Sequence, residues 1–174
     1  MGVLSLVYII DTLRAVMLLF HLKRDKMEKT YYSYEEFVDD AKALINKVKP
    51  YNPDTLLAVA RGGLTLGHFM AQGLDTRRLF ALNSIHYDKE KKLDTLEVFN
   101  IPDLSSAKRV LIVDDIVDSG ETMQGVFKAL KNLYPNVEFR LATIFYKPSS
   151  LVEADYTLKE AAEWIDFFWE VDPL

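Results

Sequence analysis

The chain has 174 residues, 49% of them hydrophobic and 27% charged, which suits one globular domain with a sizeable core. It contains no cysteine, which excludes disulfides and thiolate zinc sites, and its net charge of −5 without a Lys/Arg-rich block argues against a nucleic-acid partner. The three histidines, His21, His68 and His86, are scattered without metal-ligand spacing, so no transition-metal centre is expected.

Residues 1–26 stand apart from the rest. Val3–Phe20 is apolar but interrupted by Asp11 and Arg14, and residues 1–26 carry a net +2 against −7 for residues 27–174. A membrane anchor needs about 20 apolar residues, and a central Asp or Arg costs about 2.5–3.5 kcal/mol on insertion scales. A signal peptide would place its positive charge before the apolar core, and this segment does not. The expectation is an apolar upstream extension (1–26), with Met27 rather than Met1 as the working start and 27–174 as the functional domain. An interfacial or core helix is the alternative. No firm membrane association is expected, and the protein is expected to be cytoplasmic.

Ser33-x-x-Glu36 reads as a capping box opening a helix whose apolar positions are Phe37, Val38, Ala41, Leu44, Ile45 and Val48, stopped by Pro50 and Pro53. Leu56–Ala60 predicts a buried strand, followed at Arg61-Gly62-Gly63 by a turn into a helix reaching about Gln72. Leu79–Tyr87 predicts a further strand, and the polar stretch Tyr87–Asn100, with Lys89, Lys91 and Lys92, a mobile excursion. Val110–Val113 predicts the central strand, Thr122–Tyr134 a helix and Phe139–Tyr146 the next strand. The alternation predicts an α/β fold with a doubly wound, mostly parallel central sheet.

The richest chemistry lies in Val110–Thr122, VLIVDDIVDSGET. An apolar run breaks into Asp114 and Asp115, and Asp118 and Ser119-Gly120-Glu121-Thr122 lead into a helix. This places the acids and small residues in a turn at the carboxyl end of a strand, where open α/β sheets bind ligands. Backbone N–H groups from Asp118 to Thr122, the hydroxyls of Ser119 and Thr122 and a helix N-terminus suit a phosphate. The acid pair suits a sugar diol or a hydrated Mg²⁺. Arg61-Gly62-Gly63 repeats the strand–turn–helix logic and suits a pyrophosphate. Lys147 ends a strand, and the segment Glu163–Trp169 is densely aromatic.

Val110–Thr122 resembles the PRPP-binding signature of the type I phosphoribosyltransferases: apolar strand, two acids, two apolar residues, Asp, Ser/Thr-Gly-x-Thr. Arg61-Gly62 is similar to that family's pyrophosphate loop. Ile144-Phe145-Tyr146-Lys147-Pro148 looks like the element of 6-oxopurine enzymes whose lysine donates to O6. Trp164-Ile165-x-x-x-Trp169 is similar to the short purine-covering hood of bacterial xanthine–guanine phosphoribosyltransferases. The resemblance covers about Tyr31 to Asp172.

It implies an enzyme using PRPP, a purine base and Mg²⁺. Arg61, Gly62, Asp114, Asp115, Ile116, Val117, Asp118, Ser119, Gly120, Glu121 and Thr122 would bind PRPP, with Asp115 the metal contact. Asp118 would be the general base, Lys147 would meet O6, Trp164 would stack on the base, and the Trp164 and Ile165 carbonyls would meet the C2 substituent. Trp169 is read as core. A homo-oligomer, dimer or tetramer, is implied.

Two departures stand out. His86-Tyr87 replaces a Ser-Tyr dipeptide, and the arginine that reaches PRPP from the mobile loop has no counterpart, leaving Lys89, Lys91 and Lys92 as candidates. Two other readings exist. One is a regulator of the same fold that binds PRPP or nucleotide without turnover, which the acidic charge disfavours. The other is a receiver or phosphatase domain, which leaves Arg61-Gly62-Gly63 and Ser119–Thr122 unexplained.

Overall fold

The computed structural model describes residues 29–87 and 95–171; segment 1–26 and Lys89, Lys91 and Lys92 lie outside them. The chain opens with strand β1 (Lys29–Tyr32) and helix α1 (Tyr34–Val48). The predicted capping box is formed: the Ser33 hydroxyl accepts from the Glu36 N–H, and the Glu36 carboxylate accepts from the Ser33 N–H, each at 3.2 Å. Pro50 takes part in one 3₁₀ turn, Lys49–Tyr51, and Asn52 at φ 51° ends it.

Strand β2 (Thr55–Ala60) feeds helix α2 (Gly63–Gly73), which returns to strand β3 (Leu79–Tyr87). Strand β4 (Thr95–Phe99) follows and pairs antiparallel with β3. This corrects the expected polar excursion over Tyr87–Asn100: Leu96 and Val98 come from an unpromising stretch, but β3 offers them an open edge. Strand β5 (Arg109–Val117), helix α3 (Glu121–Leu133) and strand β6 (Glu138–Tyr146) complete the main units. Two short strands close the chain, β7 (Lys159–Glu160) and β8 (Trp164–Phe167).

The six-stranded sheet runs β4-β3-β2-β5-β6-β7 and is parallel except for β4. From β2 the chain winds outward to β3, and from β5 it winds the other way to β6. The switch point therefore falls between the neighbouring strands β2 and β5, in register at Ala58 and Val113.

The central strands of the sheet are buried on both faces. On β5, Leu111 and Val113 point into one core with Phe37, Leu44, Leu66 and Met70 of α1 and α2. Val110 and Ile112 point into the other, with Met123, Val126 and Leu130 of α3. A separate two-stranded parallel sheet joins β1 to β8 from Lys29↔Trp164 to Tyr32↔Phe167. No helix among the described residues is long and apolar enough to cross a membrane.

Phe37 links these layers. It is fully buried and lies 4.8 Å from the Phe69 ring of α2 and 5.2 Å from the Trp169 ring. Phe37→Ala is expected to cost about 3–5 kcal/mol, the range for emptying an aromatic core site. Urea unfolding at constant m-value is the measurement, and a loss below 1 kcal/mol would refute this account of the core.

Candidate active site

The site is built where β2 and β5 end side by side. The expected strand over Val110–Val113 in fact continues through Asp114, Asp115 and Ile116 to Val117. The reason is non-local: β6 is also nine residues long and pairs with Asp114, Ile116 and Val117 through Thr143, Phe145 and Tyr146. The turn proper is therefore Asp118–Gly120, and the acid pair is held on the rigid strand. Helices α2 and α3 then begin at Gly63 and Glu121, so two helix N-termini face this end of the sheet.

Close approach explains the glycines. A Cβ on Gly62 would run into the Asp115 carboxylate, and one on Gly63 would overlap the Val113 carbonyl oxygen. The peptide between Ala60 and Arg61 is cis. The Asp114 carboxylate accepts from the Asp115 N–H at 3.0 Å and from the Gly63 N–H. Arg61 is exposed at the mouth.

The acids carry an electrostatic load. Burial, and then the neighbouring Asp115, push the Asp114 carboxyl well above the usual carboxylate range. Burial chiefly, with Glu170 adding to it, pushes Asp115 up to about 6. Glu170 is itself raised by burial and by Asp166, against the opposing charges of Lys29 and Arg61. Two backbone-fixed acids of this kind suit a cation or a polyol. Among the described residues, no group of three or more His, Asp or Glu side chains is arranged to hold a metal ion alone.

The adjoining loop has a different construction. Gly120 has φ +85°, and a Cβ there would meet the Ser150 hydroxyl and the backbone of Leu151 and Val152. Leu151 N–H donates to the Ser119 carbonyl at 2.8 Å, and the Ser119 hydroxyl accepts from Glu121 N–H at 3.3 Å. The loop thus leads into the N-terminus of α3 with its backbone fixed from behind, which is a ready anion site.

Lys147 follows β6, donates its N–H to the Val117 carbonyl at 2.9 Å and places its ammonium 2.8 Å from the Asp118 carboxylate. Two residues 29 positions apart in sequence are thereby brought together. Trp164 is 40% exposed on β8 while Ile165 is buried. Trp169 is core-packed as read, stacked on Phe167 at 4.7 Å.

Two contributors carried no sequence signal. Glu170 is a lone acid after the aromatic run. The Ser150–Val152 segment is a plain turn until it is seen behind Gly120.

Linkage gives a test of the acid pair. A carboxyl with a raised folded-state pKa destabilises the fold above that pKa and not below the unfolded value. Asp115→Asn should therefore raise ligand-free stability at pH 7.5, by roughly 1–3 kcal/mol. The gain should shrink as pH falls through about 6 toward the ordinary Asp value near 3.8. Paired thermal melts across that window check it, and a pH-independent difference would contradict the assignment.

The comparisons agree with this geometry. The family model described as "Phosphoribosyl transferase domain" matches residues 28–174. Among curated relatives, the xanthine-guanine phosphoribosyltransferase of Desulfotalea psychrophila is 31% identical over 156 residues, spanning 85% of this chain and 91% of that protein. That of Cereibacter sphaeroides is 27% identical over 154 residues, spanning 83% and 89%. Among solved structures, the Helicobacter pylori xanthine-guanine-hypoxanthine phosphoribosyltransferase superposes with a TM-score of 0.78 at 41% identity, over 83% of this chain and 96% of that one. A purine phosphoribosyltransferase from Pyrococcus horikoshii gives 0.72 at 30% identity, over 85% and 97%. With that family model matched across residues 28–174, the chain belongs to the phosphoribosyl transferase domain family.

Proposed function

We propose that the protein transfers the 5-phosphoribosyl group of PRPP to N9 of a 6-oxopurine (xanthine, guanine or hypoxanthine), releasing the nucleoside 5′-monophosphate and pyrophosphate. The observation that carries this reading is the meeting, at one sheet end, of the Arg61-Gly62-Gly63 turn, the acid pair and the Gly120 loop. Each matches one part of PRPP. The family match over residues 28–174 supports residues 27–174 as the catalytic domain.

In this reading the N–H groups and hydroxyls of Asp118–Thr122, Glu121 included, hold the 5′-phosphate against the α3 N-terminus. Ile116 and Val117 form the strand floor beneath the ribose, whose two hydroxyls meet Asp114 and Asp115. Arg61 and the Gly62 backbone hold the pyrophosphate. The part-buried, charge-loaded acid pair fits a hydrated divalent cation, with Asp115 its contact and substrate oxygens completing the set. Mg²⁺ bound there would supply charge neutralisation for the leaving pyrophosphate.

The reaction breaks the C1′–O bond to pyrophosphate and forms C1′–N9, with positive charge developing on the ribose ring between the two. Asp118 takes the proton displaced from the purine imidazole ring. Lys147 donates to O6. The ion pair they form at 2.8 Å sets an acceptor beside a donor, the complement of the N7–H and O6 edge of a 6-oxopurine. Adenine presents an amino group where O6 would be and leaves the ammonium unpaired. Trp164 stacks on the base, and the Trp164 and Ile165 carbonyls meet the C2 substituent. Base-dependent release of pyrophosphate from PRPP tests the reaction itself.

Asp118→Asn is expected to lower kcat by about 10²–10⁴ with little change in the KM for PRPP, the pattern of a lost general base. Steady-state kinetics with each substrate varied will decide, and a near-normal kcat would reduce Asp118 to a positioning residue.

The base pocket separates two kinds of contact. Lys147→Ala should impair the three oxopurines by about 1.5–3 kcal/mol, because O6 loses a charged donor. Trp164→Ala should weaken all purines alike by about 1–3 kcal/mol, since stacking is blind to substituents. The comparison is kcat/KM for xanthine, guanine, hypoxanthine and adenine. Efficient adenine turnover by the unmodified protein would overturn the 6-oxopurine assignment.

A further inference from the structure

The two ends of the proposed purine pocket come from different sheets. Lys147 follows β6 of the central sheet, whereas Trp164 and Ile165 stand on β8, paired with β1. A purine is rigid, so the spacing between these ends must be held to a fraction of an ångström. Tyr32 sits where that spacing is set.

We propose that Tyr32 is a positioning residue for base recognition, tying the β1–β8 sheet to α1 and to the β6–β7 edge through one shared carboxylate, Asp40. The inference rests on the purine reading above.

Tyr32 is buried at the end of β1, aligned with Phe167, and its carbonyl accepts from the Phe168 N–H at 3.1 Å. Its hydroxyl donates to Asp40 Oδ2 of α1 at 2.6 Å. The same oxygen receives the Lys159 ammonium of β7 at 2.6 Å, and that ammonium lies 5.4 Å from the Tyr32 ring centroid. Lys159 is aligned with Phe145, two residues before Lys147. The Tyr32 ring completes the link from the apolar side, edge-on to Phe145 at 5.0 Å and to Phe167 at 5.9 Å.

One side chain therefore touches both the strand that delivers Lys147 and the strand that delivers Trp164 and Ile165. Strands β7 and β8 lie in different sheets and do not pair with each other, so this polar contact carries the registration between them. Hydrogen bonds to a carboxylate are directional and among the stronger ones. The phosphate loop, the acid pair and the Arg61 turn make none of these contacts, so the effect should be confined to the base.

The test measures KM for guanine at saturating PRPP and KM for PRPP at saturating guanine. The proteins compared are the unmodified protein, Tyr32→Phe, Asp40→Asn, Lys159→Met and Lys159→Arg, with thermal melts beside them. The expected result is a rise of about tenfold in the guanine KM for Tyr32→Phe, Asp40→Asn and Lys159→Met, because small misplacements of a binding group are costly. The KM for PRPP should stay within about twofold, and Lys159→Arg should recover most of the loss. A lowered melting temperature with both KM values unchanged, or both shifted equally, would overturn the inference. If Tyr32→Phe does not fold, the half-exposed Lys159 pair of variants decides by the same criterion. Absence of base-dependent pyrophosphate release from the unmodified protein would overturn the purine reading and this inference with it. Normal release with unchanged variants would overturn the inference alone.

Discussion

Everything at the functional end of the molecule depends on how closely the first turn of α2 approaches the end of β5. Neighbouring strands lie about 4.8 Å apart, which leaves no room for side chains between a turn and the acids beside it. Gly62 answers this by lacking the atom that would occupy the Asp115 carboxylate, and Gly63 by lacking the one that would occupy the Val113 carbonyl. A side chain at Gly63 would force the start of α2 away from the β5 backbone, and one at Gly62 would displace the Asp115 carboxylate. The glycine turn and the acid pair are thus a single structural unit.

That unit is maintained against local stability. Two neighbouring carboxyls, both displaced upward by burial, are a poor arrangement for a fold alone. Glu170 adds to the load on Asp115, and the cations Lys29 and Arg61 act on Glu170 rather than on the pair. Such an arrangement is in keeping with the tendency of functional sites to sit away from the stability optimum. The scaffold absorbs it because β5 is buried on both faces, and Leu111, Ile112 and Val113 are fully enclosed immediately before the acids.

Much of this was legible in the sequence because the signals are local. The capping box at Ser33, the apolar runs of β2, β5 and β6, and the 3.6-residue spacing of α3 each report on a few neighbouring residues. What stayed illegible depends on partners far along the chain. β5 runs four residues past its apolar stretch because β6 pairs with it, and β4 forms because β3 presents an edge. β1 and β8 are four residues each and find one another across more than 130 positions, Lys29 opposite Trp164. The site divides the same way. Asp114, Asp115 and the Gly120 loop form one contiguous motif, whereas Glu170 and the Ser150–Val152 backing take their place only through the fold.

The two charge pairs near the proposed base pocket differ in what it takes to open them. The Asp118–Lys147 pair is partly hydrated, with Lys147 31% and Asp118 55% exposed, and pairs of that kind are worth about 0–1 kcal/mol. In the proposed reading, a purine would enter between these two charges at little cost and recover both contacts at N7 and O6. The Asp40 carboxylate is only 16% exposed, and it holds both a lysine and a buried tyrosine whose phenol burial and Asp40 push upward. Removing one partner there leaves a charge in a poor environment, which is strongly unfavourable. The proposed pocket thus combines an end that opens readily with a frame that does not, and the difference follows from solvent exposure rather than from the identity of the charges. An enzyme that must admit a flat, rigid base and then hold it still over C1′ needs both.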